Sequence, residues 1–115
     1  MNTPSQITSL IISENLAGAT TKITKEINLN FIPDIIQVAH VYYEPTLADT
    51  KMHQISSDLI NTEDNVLQTI YAEVHYATPL IFSNNKQIRG TYDFNISEGG
   101  LGAGVFSMSL TFIKY

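Results

Sequence analysis

Val105-Phe106-Ser107-Met108-Ser109-Leu110-Thr111-Phe112-Ile113-Lys114-Tyr115 is the stretch that decides the fold. Phe106, Met108, Leu110 and Phe112 alternate with Ser107, Ser109 and Thr111. A period of two means a strand with one apolar face and one hydroxylated face. At about 3.3 Å per residue it spans roughly 33 Å, the height of a small sandwich. The expectation is that the terminal carboxylate lies at the rim of the fold rather than on an extension.

Working backwards, similar signals recur at short intervals. Gly99-Gly100-Leu101-Gly102-Ala103-Gly104 reads as a flexible loop into the last strand, adaptable to a neighbouring subunit. Tyr92, Phe94 and Ile96 mark the inward side of a strand over 91–96. Ser83-Asn84-Asn85-Lys86 reads as a hairpin, because Asn tolerates the positive φ of tight turns. Leu80-Ile81-Phe82 follows a break at Thr78-Pro79. Val66, Ile70, Ala72, Val74 and Tyr76 alternate with Glu73 and His75, and 61–65 is a polar turn after a short strand over 55–60. Ile35 to Tyr43 is nearly unbroken in apolar character, which predicts a central strand covered on both faces. Ile23, Ile27, Leu29 and Phe31 mark another strand, with Asn28 and Asn30 facing away, that Pro33-Asp34 ends.

Residues 1–20 read as an N-terminal arm or an edge strand, and a short helix over 9–17 competes without a capping box. Residues 21–115 then form one β-sandwich or jelly-roll-like domain of seven to eight strands, all antiparallel.

Composition narrows the function classes. At 115 residues the chain can bury about two-thirds of its unfolded surface without metal or disulfide, and it contains no cysteine. Thiolate catalysis and Cys-based zinc sites are therefore excluded. Net charge is −5 and the six basic residues are scattered, which argues against nucleic acid. Met1 to Gln6 has neither the positive region nor the apolar run of a signal peptide, and Leu10-Ile11-Ile12 is too short to insert in a membrane. Only 15% of residues are charged, against about 25% in an ordinary soluble domain. A thinly charged β surface suits either a neutral monomer or a subunit covered by its neighbours.

Candidate chemistry is sparse. His40, His53 and His75 lack a metal-ligand spacing, and His40 and His75 are expected to pair across a sheet. Asp49, Asp58, Glu63 and Asp64 gather around two loops without the cleft that paired carboxylates need. The glycine loop lacks the Lys-Ser/Thr and helix of a phosphate site. Asn95-Ile96-Ser97 matches a glycosylation sequon by pattern only. No catalytic, cofactor or metal residue is assigned.

Four segments carry a resemblance: Ile27 to Val38, Ser57-Asp58-Leu59-Ile60, Gly90 to Ile96, and Leu110-Thr111-Phe112-Ile113-Lys114-Tyr115. Their hydrophobic pattern, with Pro33-Asp34 and the Phe-Ile-Lys-Tyr end, resembles small β-sandwich virion proteins of tailless icosahedral viruses in the jelly-roll capsid lineage. The likeness covers most of residues 23–115. It implies a non-enzymatic structural role in the virion, as a penton, minor capsid or spike subunit that forms a pentamer or trimer and contacts other capsid proteins. It also leaves the 1–20 arm open to a capsid-anchoring role. The expected interface comprises Ile7, Leu10, Ile11, Ile12, Tyr42, Tyr43, Leu101 and Tyr115, with the loops 44–54 and 97–104. The alternative is a carbohydrate- or receptor-binding sandwich using Tyr42, Tyr43 and loop 46–54, and a small enzyme ranks third.

Overall fold

The computed structural model describes residues 3–47, 53–60, 66–75, 78–84, 87–96 and 100–115, with the side chains of 57–60 and 66–69 left aside. Eight strands follow one another: β1 (Gln6–Leu16), β2 (Lys22–Asn28), β3 (Ile35–Pro45), β4 (Gln54–Ile60), β5 (Val66–Glu73), β6 (Leu80–Ser83), β7 (Arg89–Ile96) and β8 (Gly104–Lys114). They build two four-stranded sheets, ordered β1-β8-β3-β6 and β2-β7-β4-β5, with every pairing antiparallel. Only β4 and β5 are consecutive strands sharing a sheet; each other connection crosses to the opposite sheet. This is the jelly-roll arrangement.

The alternation read in the last strand places its residues as expected. Phe106, Met108, Leu110 and Phe112 are buried, while Ser107, Ser109 and Thr111 face out and are only half-buried. From the other sheet, Ile23, Ile27, Ile55, Ile70, Tyr92, Phe94 and Ile96 close the core. Each large apolar side chain removed from water in this way contributes about 1.5–3 kcal/mol.

Several expectations need correction. The uninterrupted apolar run Ile35–Tyr43 does not reflect a strand covered on both faces. β3 is central, but a bulge between Ala39 and Tyr42, with His40 at φ 52°, shifts its phase. Ile36 and Val38 point inward before the bulge, Val41 and Tyr43 after it, so even positions give way to odd ones. The strand drawn through Phe31 stops at Asn28, although Leu29 and Phe31 are still buried. That drawn through Tyr76 stops at Glu73, because His75 takes φ 70°; Tyr76 lies outside the described residues, as does the turn 61–65.

Asn85 and Lys86 of the expected hairpin lie outside the described residues, but β6 and β7 are not hairpin partners, since they lie in different sheets. Asn84 instead ties the crossing to the β2–β3 connection, its backbone N–H donating to the Asp34 carbonyl at 2.8 Å and its Nδ2 to the Pro33 carbonyl at 3.0 Å. The described part of the glycine loop is pinned rather than flexible. Leu101 is fully buried and exchanges two backbone hydrogen bonds with Thr20, at 2.7 and 2.8 Å. Gly100 has φ +81°, and a Cβ there would strike the Thr20 carbonyl. Residues 6–16 form a full-length edge strand, not a helix, and the Thr20–Leu101 bridge runs across the expected boundary at residue 20.

Candidate functional site

The two outer faces of the sandwich differ in chemistry. On the β2-β7-β4-β5 sheet, the outward rows of β2 and β7 set Lys22, Thr24, Glu26 and Asn28 against Asn95, Asp93, Thr91 and Arg89. Lys22 pairs with Asp93 at 3.6 Å, and the Thr24 hydroxyl donates to the same carboxylate at 2.6 Å. Exposed ion pairs of this kind add little stability, but they keep a face hydrated.

The β1-β8-β3-β6 sheet is built otherwise. Across its outer surface run the rows Ile7-Ile113-Ile35, Ser9-Thr111-Gln37-Ile81, Ile11-Ser109-Ala39 and Ser13-Ser107-Tyr42. None of these residues is charged; Glu44 stands beyond them at one end, opposite Val105. Ile7, Ile11, Ile81 and Tyr42 are 58, 69, 66 and 48% exposed. Three of the hydroxyls are satisfied within the sheet: Ser9 and Thr111 share a hydrogen bond of 3.2 Å, and Ser109 donates to the Ala39 carbonyl at 3.1 Å. An exposed face with isoleucines, hydroxyls partly satisfied within the sheet and no charge costs less to dehydrate than a charged one.

The expected interface residues divide on this frame. Ile7, Ile11 and Tyr42 stand on the uncharged face, and Tyr115 is exposed at the end of β8. Leu10 is half-buried against the core, while Ile12, Tyr43 and Leu101 lie within it and present nothing to a partner. Tyr43 serves the fold: its hydroxyl donates to the carbonyls of Gly102 at 2.9 Å and Ala103 at 3.3 Å. Ile81 and Ile113 were missed: Ile81 was in a segment not read for its outward side, and Ile113 continues the outward row of Ser107, Ser109 and Thr111 beyond the hydroxyls by which that row was read.

His40 and His75 do not pair with each other. His75 meets Tyr42 edge-on, with ring centroids 5.2 Å apart, whereas His40 sits at the β3 bulge and His53 is buried. Among the described residues, no three His, Asp or Glu side chains gather in a way that could hold a metal. Asp49, Glu63 and Asp64 lie outside the described residues, and Asp58 is on β4 opposite Thr69. The Tyr92 hydroxyl is buried without a hydrogen-bond partner. Burial pushes its pKa up, and the adjacent Arg89 backbone opposes that shift without meeting hydrogen-bond geometry. No described helix is long and apolar enough to cross a membrane, which says nothing of strands.

No protein-family model and no curated protein matches the chain. A solved structure of Bacillus endospore appendages, described as disulfide-linked pili, is similar at 14% identity with a TM-score of 0.44, over 96% of this chain and 88% of that one.

Proposed function

We propose that this chain is a non-enzymatic structural protein of a virion, a penton, minor capsid or spike subunit that self-assembles and contacts neighbouring capsid proteins. The observation that carries the reading is the outer face of the β1-β8-β3-β6 sheet, with four exposed apolar side chains and no charge across four rows. The opposite face bears Lys22, Glu26, Asp93 and Arg89 and suits solvent. A jelly roll with one dry face and one wet face is a block to be tiled. The test is assembly of the purified protein with purified capsid components. Incorporation that is lost on Ile81→Lys, with the fold intact, is the expected result. Failure to incorporate under any condition overturns the virion setting.

A second reading, a carbohydrate-binding module, has one observation in its favour. A depression of about 300 Å³ is lined by Gln54, Tyr71, Ala72, Glu73 and Leu80, and Tyr71 is largely exposed beside it. An aromatic plate next to an amide and a carboxylate suits sugar stacking and hydroxyl recognition. This site replaces the one first expected, since Tyr43 is buried. Glycan-array binding abolished by Tyr71→Ala supports it, and a blank array removes it.

A further inference from the structure

Each sheet has two edges, and three of the four are guarded against another strand more heavily than the fourth. β2 bears Lys22, Lys25 and Glu26 within seven residues, and Lys25 stands on its core-facing row between Ile23 and Ile27. β6 has only four residues and follows Pro79. β5 adjoins a register break at Leu59/Ile60 of β4. Bulges, short strands and inward-pointing charge are how sheets protect their edges.

β1 is long and free of bulges and proline, and its one such device is Glu14, on the core-facing row between Ile12 and Leu16. It runs for eleven residues in unbroken register with β8, contains no Pro, Gly, Lys or Arg, and carries Glu14 as its sole charge. No strand of the described residues lies on its other side. Every second residue therefore turns a backbone N–H and C=O to an open edge.

We propose that this edge is completed by β1 of a second copy of the chain, antiparallel about a two-fold axis through Ile11. The choice of a second copy rests on self-complementarity. Ile11 is the middle residue of Gln6–Leu16, so pairing about it uses the whole strand. Ser9 then lies opposite Ser13 of the partner subunit, and Ile7 opposite Asn15 of the partner subunit. Glu14 lies opposite Thr8 of the partner subunit, so the one acidic side chain never faces its own copy. Residues of like parity meet, so outward rows join outward rows and core-facing rows join core-facing rows. The product is one eight-stranded sheet across two subunits, whose uncharged outer face is doubled in width. An isologous contact of this kind leaves the rest of the surface available for a ring about another axis.

This inference deepens the self-assembly part of the proposed function and is independent of the virion setting. Because the chain has no cysteine, Ile11→Cys introduces a unique thiol. Two such thiols facing each other across antiparallel strands fall within disulfide reach. Mild oxidation should give a covalent dimer, whereas Thr91→Cys, exposed on the charged sheet, should not. Ile11→Lys should raise the dimer dissociation constant at least about tenfold by setting like charges opposite one another, as should Ile11→Glu. An equimolar mixture of the two should restore the dimer, and far-UV circular dichroism verifies that each variant is folded. Cross-linking of Ile11→Cys no greater than that of Thr91→Cys overturns the proposal. A wild-type multimer that Ile11→Lys leaves unchanged overturns the β1 contact and spares self-assembly. A wild-type monomer at every concentration overturns both.

Discussion

Which of two adjacent tyrosines enters the core is decided by one histidine. Ile36 and Val38 set an inward phase that, continued, would bury Tyr42 and expose Tyr43. His40, at φ 52°, inserts the extra residue, so Tyr43 is buried and Tyr42 stands on the outer face. A bulge leaves no mark on apolar periodicity except that the run looks unbroken, so the sequence could supply both tyrosines as candidates but not their sides. The neighbouring sheet holds the opposite case, a tyrosine whose place is plain and whose hydroxyl is not satisfied. Tyr92 alternates cleanly with its neighbours, yet its hydroxyl is buried without a partner. Tyr92→Phe should therefore stabilise the protein by about 1 kcal/mol, read from the urea midpoint. The pH dependence has a definite sign. Below the ordinary tyrosine value of 10.0 both states hold the phenolic proton, and the Tyr92 contribution is fully present. Above it the unfolded chain releases the proton first, because burial raises the folded pKa. Stability then falls, by at most about 1.4 kcal/mol per pH unit from this group. Denaturation at pH 9 and pH 11 should show a shallower loss for Tyr92→Phe than for wild type; equal losses would contradict the assignment.

Among the elements, strands were legible and connections were not. Alternation over 105–113 and 91–96 gives the inward rows of β8 and β7, because those strands are regular and face water on one side. The crossings depend on contacts between residues far apart in the chain. Asn84-Asn85 has turn chemistry in the sequence, but only the packed structure reveals that β6 and β7 belong to different sheets and that Asn84 holds the Pro33-Asp34 corner. Asp34 also ties down the end of β8, its carboxylate accepting the Tyr115 N–H at 2.9 Å and its own N–H donating to the Ile113 carbonyl at 2.8 Å. Asp34→Ala should cost about 1 kcal/mol and should speed hydrogen exchange at Tyr115 before that at Leu110. The glycine loop gives a paired prediction. Gly100→Ala meets both a positive φ and the Thr20 carbonyl and should lose about 2 kcal/mol or more. Gly18→Ala meets nothing within 4 Å and should be neutral or gain up to about 1 kcal/mol. Thermal melts of the two variants separate the outcomes, and similar melting points would mean that the loop is not pinned as described.

For the molecule as a whole, the last strand holds a central place rather than an edge. β8 lies between β1 and β3, and its Thr111 hydrogen-bonds Ser9 across 102 residues of chain. Such pairing makes folding slow, on the order of milliseconds to seconds, since the loops must close before the contacts form. It also makes the uncharged outer face a property of the finished fold, assembled from β1, β8, β3 and β6. That face was legible in outline, as low charge and a row of hydroxyls in the last strand. Its extent was not, because Ile81, Ile113 and Ile11 come together only through the register. The most direct test of the account is the mass of the wild-type protein by light scattering across a range of concentrations. A discrete multiple of the chain mass, falling toward the monomer on Ile81→Lys or Ile11→Lys while circular dichroism is unchanged, is what the account predicts. A monomer at all concentrations, indifferent to those substitutions, would contradict it.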